Sequence, residues 1–153
     1  KGNHDFGSNN LSQYILNELM ANGSYARHVE TLRNVYRVKR DAMLQAIETE
    51  FRDWPEVRWT HPAGGLYVWL TFPENVNAGP SGELIERALQ EGVLYVPGEF
   101  GHAGDPGTIP NNEVRLSFGV CEPKDIQEGI RRLRKAARGL EKNQMTSDTL
   151  LTA

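Results

Sequence analysis

The sequence predicts an α/β (α+β) fold: a small, mostly antiparallel or mixed sheet packed against helices and preceded by a long helix. Three observations carry this. Apolar residues recur at helical spacing through Tyr25, Val29, Leu32, Tyr36, Met43, Ile47 and Phe51, which makes one amphipathic helix well beyond ordinary length. Short runs rich in β-branched and aromatic residues, at 57–60, 65–70, 93–96 and 114–120, are bounded by Gly, Pro and Asn and read as strands. Behind Pro123, the positions Ile126, Ile130, Leu133, Ala137 and Leu140 form a last apolar helix stripe.

The elements follow in order. Residues 1–10, rich in Gly and Asn, read as a loop. Leu11, Tyr14, Ile15 and Leu19 give a first helix, which Ala21-Asn22-Gly23 breaks. Ser24 stands where the cap of the long helix belongs. Arg27, Glu30, Arg33, Arg37, Lys39, Arg40 and Asp41 lie between its apolar positions and are expected on a solvated face. Trp54-Pro55 ends that helix. His61-Pro62-Ala63-Gly64 joins the first two strands as a hairpin, with Gly64 and Gly65 expected to supply positive φ. Ser81 is expected to cap a helix carrying Leu84, Ile85, Ala88 and Leu89, with Gly92 at its C′ position. Residues 102–112 form a long loop, and Pro123 occupies a first-turn position. The expected organisation is one domain over 1–140, with 1–52 as loop and connecting helices, and a disordered tail over 141–153.

Composition excludes several classes. The 153 residues are 39% hydrophobic and 24% charged, enough to bury roughly two-thirds of the unfolded surface in one core. A net charge of −3 gives no electrostatic footprint for nucleic acid. No apolar run approaches membrane-spanning length. The single cysteine, Cys121, excludes an internal disulfide framework and fits a reducing, cytoplasmic setting. Four scattered histidines and that cysteine show no metal-ligand spacing, so no metal is expected. His28, His61 and His102 read as exposed side chains. The chain opens on Lys1-Gly2-Asn3 without an initiator Met, and the expectation is a piece of a longer protein.

Arg115 is the candidate functional residue. It sits within the apolar run Val114-Arg115-Leu116-Ser117-Phe118, where a charge is costly unless paired. A guanidinium fixed on a strand offers a planar fork that matches a carboxylate with two parallel hydrogen bonds. The alternative is a structural ion pair with a neighbouring acid on an edge strand.

Three segments bear on that choice. Pro62-Ala63-Gly64-Gly65-Leu66-Tyr67-Val68-Trp69 resembles the P-x-G-G-[LM]-[FY]-[VI]-W segment of class I/II aminotransferases. Val96-Pro97-Gly98-Glu99-Phe100-Gly101 is similar to their V-P-G-x-x-F segment, and Val114–Phe118 to their [LV]-R-[LI]-S-[FY] segment. Together with the closing helix they resemble the C-terminal small domain of fold-type-I enzymes dependent on pyridoxal 5′-phosphate, closest to the aminoadipate/kynurenine and multi-substrate types. The resemblance implies a long interdomain helix and a homodimer. It implies amino-acid and 2-oxo acid substrates, with Arg115 gripping the substrate α-carboxylate. Such a grip fixes the Cα bond relative to the cofactor ring. It also implies that the loop before the first helix reaches the partner subunit's active site, with His4, Ser8 and Asn9 as candidate residues there.

The same resemblance marks what is missing. A Schiff-base lysine in an S-x-S-K-like context and a phosphate cup are absent. Lys39, Lys124, Lys135 and Lys142 are expected to be solvated on helices, and Lys1 stands in the wrong context. No catalytic or cofactor-binding residue is therefore assigned to this chain, and roughly 250 residues are expected upstream. Two rival readings stay open, a transcription regulator that fuses a winged helix to the same module and a lyase on the same scaffold, while Arg115 and the Pro97-Gly98 constellation argue against a free-standing non-catalytic binding module, which has no need for them. The isolated chain should form no Schiff base with pyridoxal phosphate. Borohydride reduction at stoichiometric cofactor, followed by peptide mapping, should find no single labelled lysine.

Overall fold

The computed structural model describes residues 9–141. The described residues fall into two compact units, one up to Arg37 and the other from Val38 onward.

In the first unit, helix α1 spans Asn10–Ala21, and the Asn9 side chain caps it by accepting the Ser12 N–H at 3.1 Å. None of its residues is buried. The chain turns at Asn22-Gly23, where Gly23 has φ 74°. Helix α2 then spans Ser24–Phe51. Ser24 is not its cap: it already lies within the helix and its N–H is taken by the Asn22 side chain at 2.9 Å. Asn22 also closes the C-terminus of α1, its N–H donating to Glu18 O. One asparagine thus serves both helix ends, which leaves Ser24 Oγ free to accept from Arg27 at 3.0 Å. The expected apolar stripe is exposed here at Tyr25 and Leu32.

The second unit holds the core. The C-terminal half of α2 buries Ala42, Met43, Ala46, Ile47 and Phe51. Phe51, Trp54 and Phe72 form an aromatic triangle with centroids 5.7–6.5 Å apart. Burial of side chains this large contributes about 1.5–3 kcal/mol each. Two cations, not expected inside, sit in this unit. Lys39 is 8% exposed, not solvated; it donates to Val120 O at 3.2 Å and pairs with Glu122 at 3.6 Å. Arg134 is 5% exposed; it donates to Glu50 O at 2.9 Å, pairs with Asp53 and Glu141, and lies over the rings of Phe51 and Trp54. Both cations satisfy groups more than 80 residues away in sequence, which helical periodicity cannot register.

Four strands pair antiparallel in the order β1-β2-β4-β3: β1 Arg58–Trp59, β2 Tyr67–Thr71, β3 Val96–Pro97 and β4 Glu113–Ser117. In the central pair Trp69 stands opposite Arg115 and Leu70 opposite Val114. Val68, Leu70, Val114 and Leu116 are buried, while Tyr67, Trp69, Thr71, Glu113, Arg115 and Ser117 occupy the other face. Helix α3 (Glu83–Gln90) and helix α4 (Pro123–Ala137) complete the unit. Pro123 takes its expected first-turn place. Leu140 is buried beyond the helix, after a turn through Gly139 at φ 93°.

Three local expectations are corrected. The cap of α3 is Gly82, not Ser81, because any Cβ at 82 would fall within 2.7 Å of the Asn77 carbonyl carbon. The third strand starts only at Val96. Val93 N–H is already bound to Ala88 O at 2.8 Å and Gly92 N–H to Leu89 O at 3.0 Å, a Schellman closure of α3 around Gly92 at φ 74°. The fourth strand stops at Ser117, whose Oγ accepts the Gly119 N–H at 3.3 Å and turns the chain away.

The hairpin between β1 and β2 is present, but only Gly65 has a positive φ, of 80°. Nothing lies within 4 Å of a Cβ built at Gly64 or Gly65, so conformation alone separates them. Gly65→Ala should cost about 1–2 kcal/mol, whereas Gly64→Ala should change stability by less than about 0.5 kcal/mol. Paired denaturant melts of the two variants measure the difference.

Candidate functional site

The non-core face of the sheet is where the chemistry-bearing residues gather. β4 sets Glu113, Arg115 and Ser117 on that face, and β2 sets Tyr67 and Trp69 beside them. Val96 of β3 flanks Arg115 from the other side. The Arg115 guanidinium lies over the Tyr67 ring, 4.5 Å from its centroid. That contact aligns the flat cation with an aromatic face and contributes about 0.5–2 kcal/mol, depending on exposure. Arg115 Nε is buried without a hydrogen-bond partner among the described residues. Arg115 also takes part in none of their ion pairs. The structural ion pair considered above is therefore absent among the described residues.

The nearest acid on the strand is engaged elsewhere. Glu113 Oε2 lies 2.6 Å from His102 Nε2. His102 is exposed, as expected, but it is not idle: its ring also meets the Trp69 ring edge-on at 5.8 Å. The sequence offered no signal for this pairing, since His102 stands in a Gly-rich loop. The Pro97-Gly98-Glu99-Phe100-Gly101 segment folds as a short 3₁₀ turn over Gly98–Gly101, against the same sheet face. Its glycines permit the approach. A Cβ at Gly98 would come within 2.9 Å of the Glu113 carbonyl, and one at Gly101 within 2.6 Å of Trp69 Cη2.

The site residues predicted from sequence separate into two groups. Arg115 stands on the outward sheet face as described. Asn9 caps α1 through its side chain, while His4 and Ser8 lie outside the described residues. The described lysines do not suit a cofactor. Lys39 is committed to Val120 and Glu122, Lys135 pairs with Glu91 at 2.8 Å, and Lys124 is exposed on α4. None is on the sheet face that carries Arg115. What the arrangement can do is hold an anionic planar group against Arg115. No group of three or more His, Cys, Asp or Glu fit to hold a metal occurs among the described residues. Nor is any of their helices long and apolar enough to cross a membrane.

No family model matches the chain. The structure superposes on the α-aminoadipate aminotransferase LysN of Thermus thermophilus, complexed with N-(5′-phosphopyridoxyl)-L-leucine, with TM-score 0.73 and 36% identity, covering 91% of this chain and 33% of that one. It matches the multiple substrate aminotransferase of Thermococcus profundus with TM-score 0.80 and 33% identity, over 92% of this chain and 33% of that one. An uncharacterised helix-turn-helix-type transcriptional regulator of Bacillus subtilis is 33% identical over 126 residues, 82% of this chain and 24% of its own length. Over most of its own length the chain is thus similar to aminotransferases. It spans about a third of the length of the aminotransferases it matches.

Gly98→Ala should destabilise the protein by about 1–3 kcal/mol, because the added methyl displaces β4 at Glu113. Thermal melting followed by circular dichroism measures it, against Gly107→Ala, where the nearest atom to the new methyl is 3.8 Å away.

Proposed function

We propose that this chain is the substrate-carboxylate-binding domain of a cytoplasmic, homodimeric aminotransferase dependent on pyridoxal 5′-phosphate. The intact protein would move an amino group between an α-amino acid and a 2-oxo acid. Within it, residues 1–140 constitute the small domain, with 1–52 as loop and connecting helices. The observation that carries the reading is Arg115: a cation on an open sheet face, stacked on Tyr67 and paired with no carboxylate of the described residues. Every amino-acid and 2-oxo acid substrate presents an α-carboxylate, and the guanidinium fork matches it. Pyridoxal phosphate, when bound, would serve as the electron sink at the substrate Cα. Its lysine and phosphate cup belong to the rest of the intact protein, and this chain contributes orientation. His4, Ser8 and Asn9 are assigned, on resemblance, to the loop that meets the partner subunit's active site; Asn9 would do so from its capping position.

The likeness to a regulator supports a second reading, an effector domain that binds an amino acid through the same arginine. A winged-helix domain in the intact protein, together with no transaminase activity, would select that reading.

Arg115→Ala in the full-length protein should lower kcat/KM by at least about tenfold. A bidentate charged contact contributes about 1.5–3 kcal/mol, and about 1.4 kcal/mol is a factor of ten. Arg115→Lys should recover only part, since an ammonium keeps the charge and loses the fork. The loss should be uniform across amino acids. A loss confined to acidic substrates would make Arg115 a side-chain reader instead.

A further inference from the structure

Glu113 precedes Arg115 by two residues on β4, so both side chains leave the same face of the sheet. At about 3.3 Å of rise per residue, their Cβ atoms stand roughly 6.6 Å apart, within reach of a carboxylate–guanidinium pair. A carboxylate tethered so close is an intramolecular competitor for the guanidinium, present at an effective concentration in the millimolar range or above. It would also repel an incoming anion. Yet the pair does not form. Glu113 Oε2 is held by His102 Nε2 at 2.6 Å, and the Arg115 guanidinium lies over Tyr67, at the opposite end of the row from Glu113.

His102 is itself set in place. Its N–H closes the Gly98–Gly101 turn on Glu99 O at 3.3 Å, and its ring meets the edge of Trp69, the residue directly opposite Arg115. The turn reaches this position only because Gly98 and Gly101 have no side chains to strike Glu113 and Trp69. Either imidazole form can serve, since a neutral ring with its proton on Nε2 donates to the carboxylate as the imidazolium does.

We propose that His102 is a positioning residue that occupies Glu113, keeps that carboxylate off Arg115, and so leaves the guanidinium free for the substrate α-carboxylate. This rests on Arg115 being the anchor. The His102 ring meets Glu113 and Trp69 and acts on Arg115 only through Glu113, so the expected effect is on anion binding rather than on the chemical step.

The test is a double-mutant cycle in the full-length protein. KM and kcat are measured for whichever of 2-oxoglutarate, pyruvate and phenylpyruvate supports the highest wild-type activity. His102→Ala should raise KM about three- to tenfold with kcat within about twofold. His102→Gln keeps a donor for Glu113 and should stay near wild type, which separates loss of the contact from loss of folding. Glu113→Gln, introduced into His102→Ala, should return KM to within about twofold of wild type, because the competing charge is gone. A His102 that only braced the loop would not be rescued by removing the charge of its partner. An unchanged KM in His102→Ala, or no rescue in the double variant, overturns the proposal. Arg115→Ala is run alongside. If it leaves kcat/KM intact, the anchor reading fails; if it lowers kcat/KM and the cycle shows no coupling, only the role of His102 fails.

Discussion

The register between β2 and β4 is the constraint on which the rest depends. Side chains alternate strictly across a strand, so a slip of one residue exchanges the two faces. With Leu70 opposite Val114 and Trp69 opposite Arg115, the apolar set is buried and the guanidinium is presented outward. The slipped register would drive Arg115 and Glu113 into the core and expose Val114 and Leu116, at a cost in desolvation that no local pairing offsets. The same alternation that folds the sheet therefore makes the site. Bonds flanking the ladder, Phe118 N–H to Leu66 O and Phe72 N–H to Asn112 O, lock both ends of the pairing.

Around that sheet, buried cations tie segments that are distant in sequence. Arg134 of α4 binds a carbonyl in the last turn of α2 and covers two aromatic rings of the core. Lys39 reaches from α2 to the loop that follows β4. Each is a donor with its acceptor already in place, so removing the acceptor side would leave a buried charge unpaired, which costs about 3–5 kcal/mol. These contacts fix the direction from which α2 and α4 approach the sheet's apolar face.

Openness of the Arg115 face has its own supports. Tyr67 holds the guanidinium flat by cation–π attraction, an interaction that leaves the donor fork available. The Gly98–Gly101 turn walls the other side through contacts that only glycine permits. The neighbouring acid is occupied by a histidine. An unpaired guanidinium thus persists, among the described residues, on a strand that carries a carboxylate of its own.

Much of this was legible in the residues. Periodicity placed α1, α2 and α4 to within a few positions, because helices of this length average over local exceptions. The Schellman glycine at 92 and the first-turn proline at 123 were readable because each has one dominant backbone use. The strand run containing Arg115 was readable too, since a lone cation among apolar residues is itself a signal. Strand ends were not. Val93 belongs to a helix cap and Ser117 bonds into the turn after β4, and both outcomes are set by local hydrogen bonds, to Ala88 O and from the Gly119 N–H, that strand propensity does not register. Nor were the burial of Lys39 and the His102–Glu113 pair, because a side chain's partner 11 or 81 residues away is chosen only when the sheet brings it there. The sequence by itself determined the elements, the face that carries Arg115 and the family resemblance. Tertiary structure alone decided which neighbours that arginine has, because the competing pairings differ by electrostatic contacts that exist only once β2, β4 and the 98–101 turn are packed together.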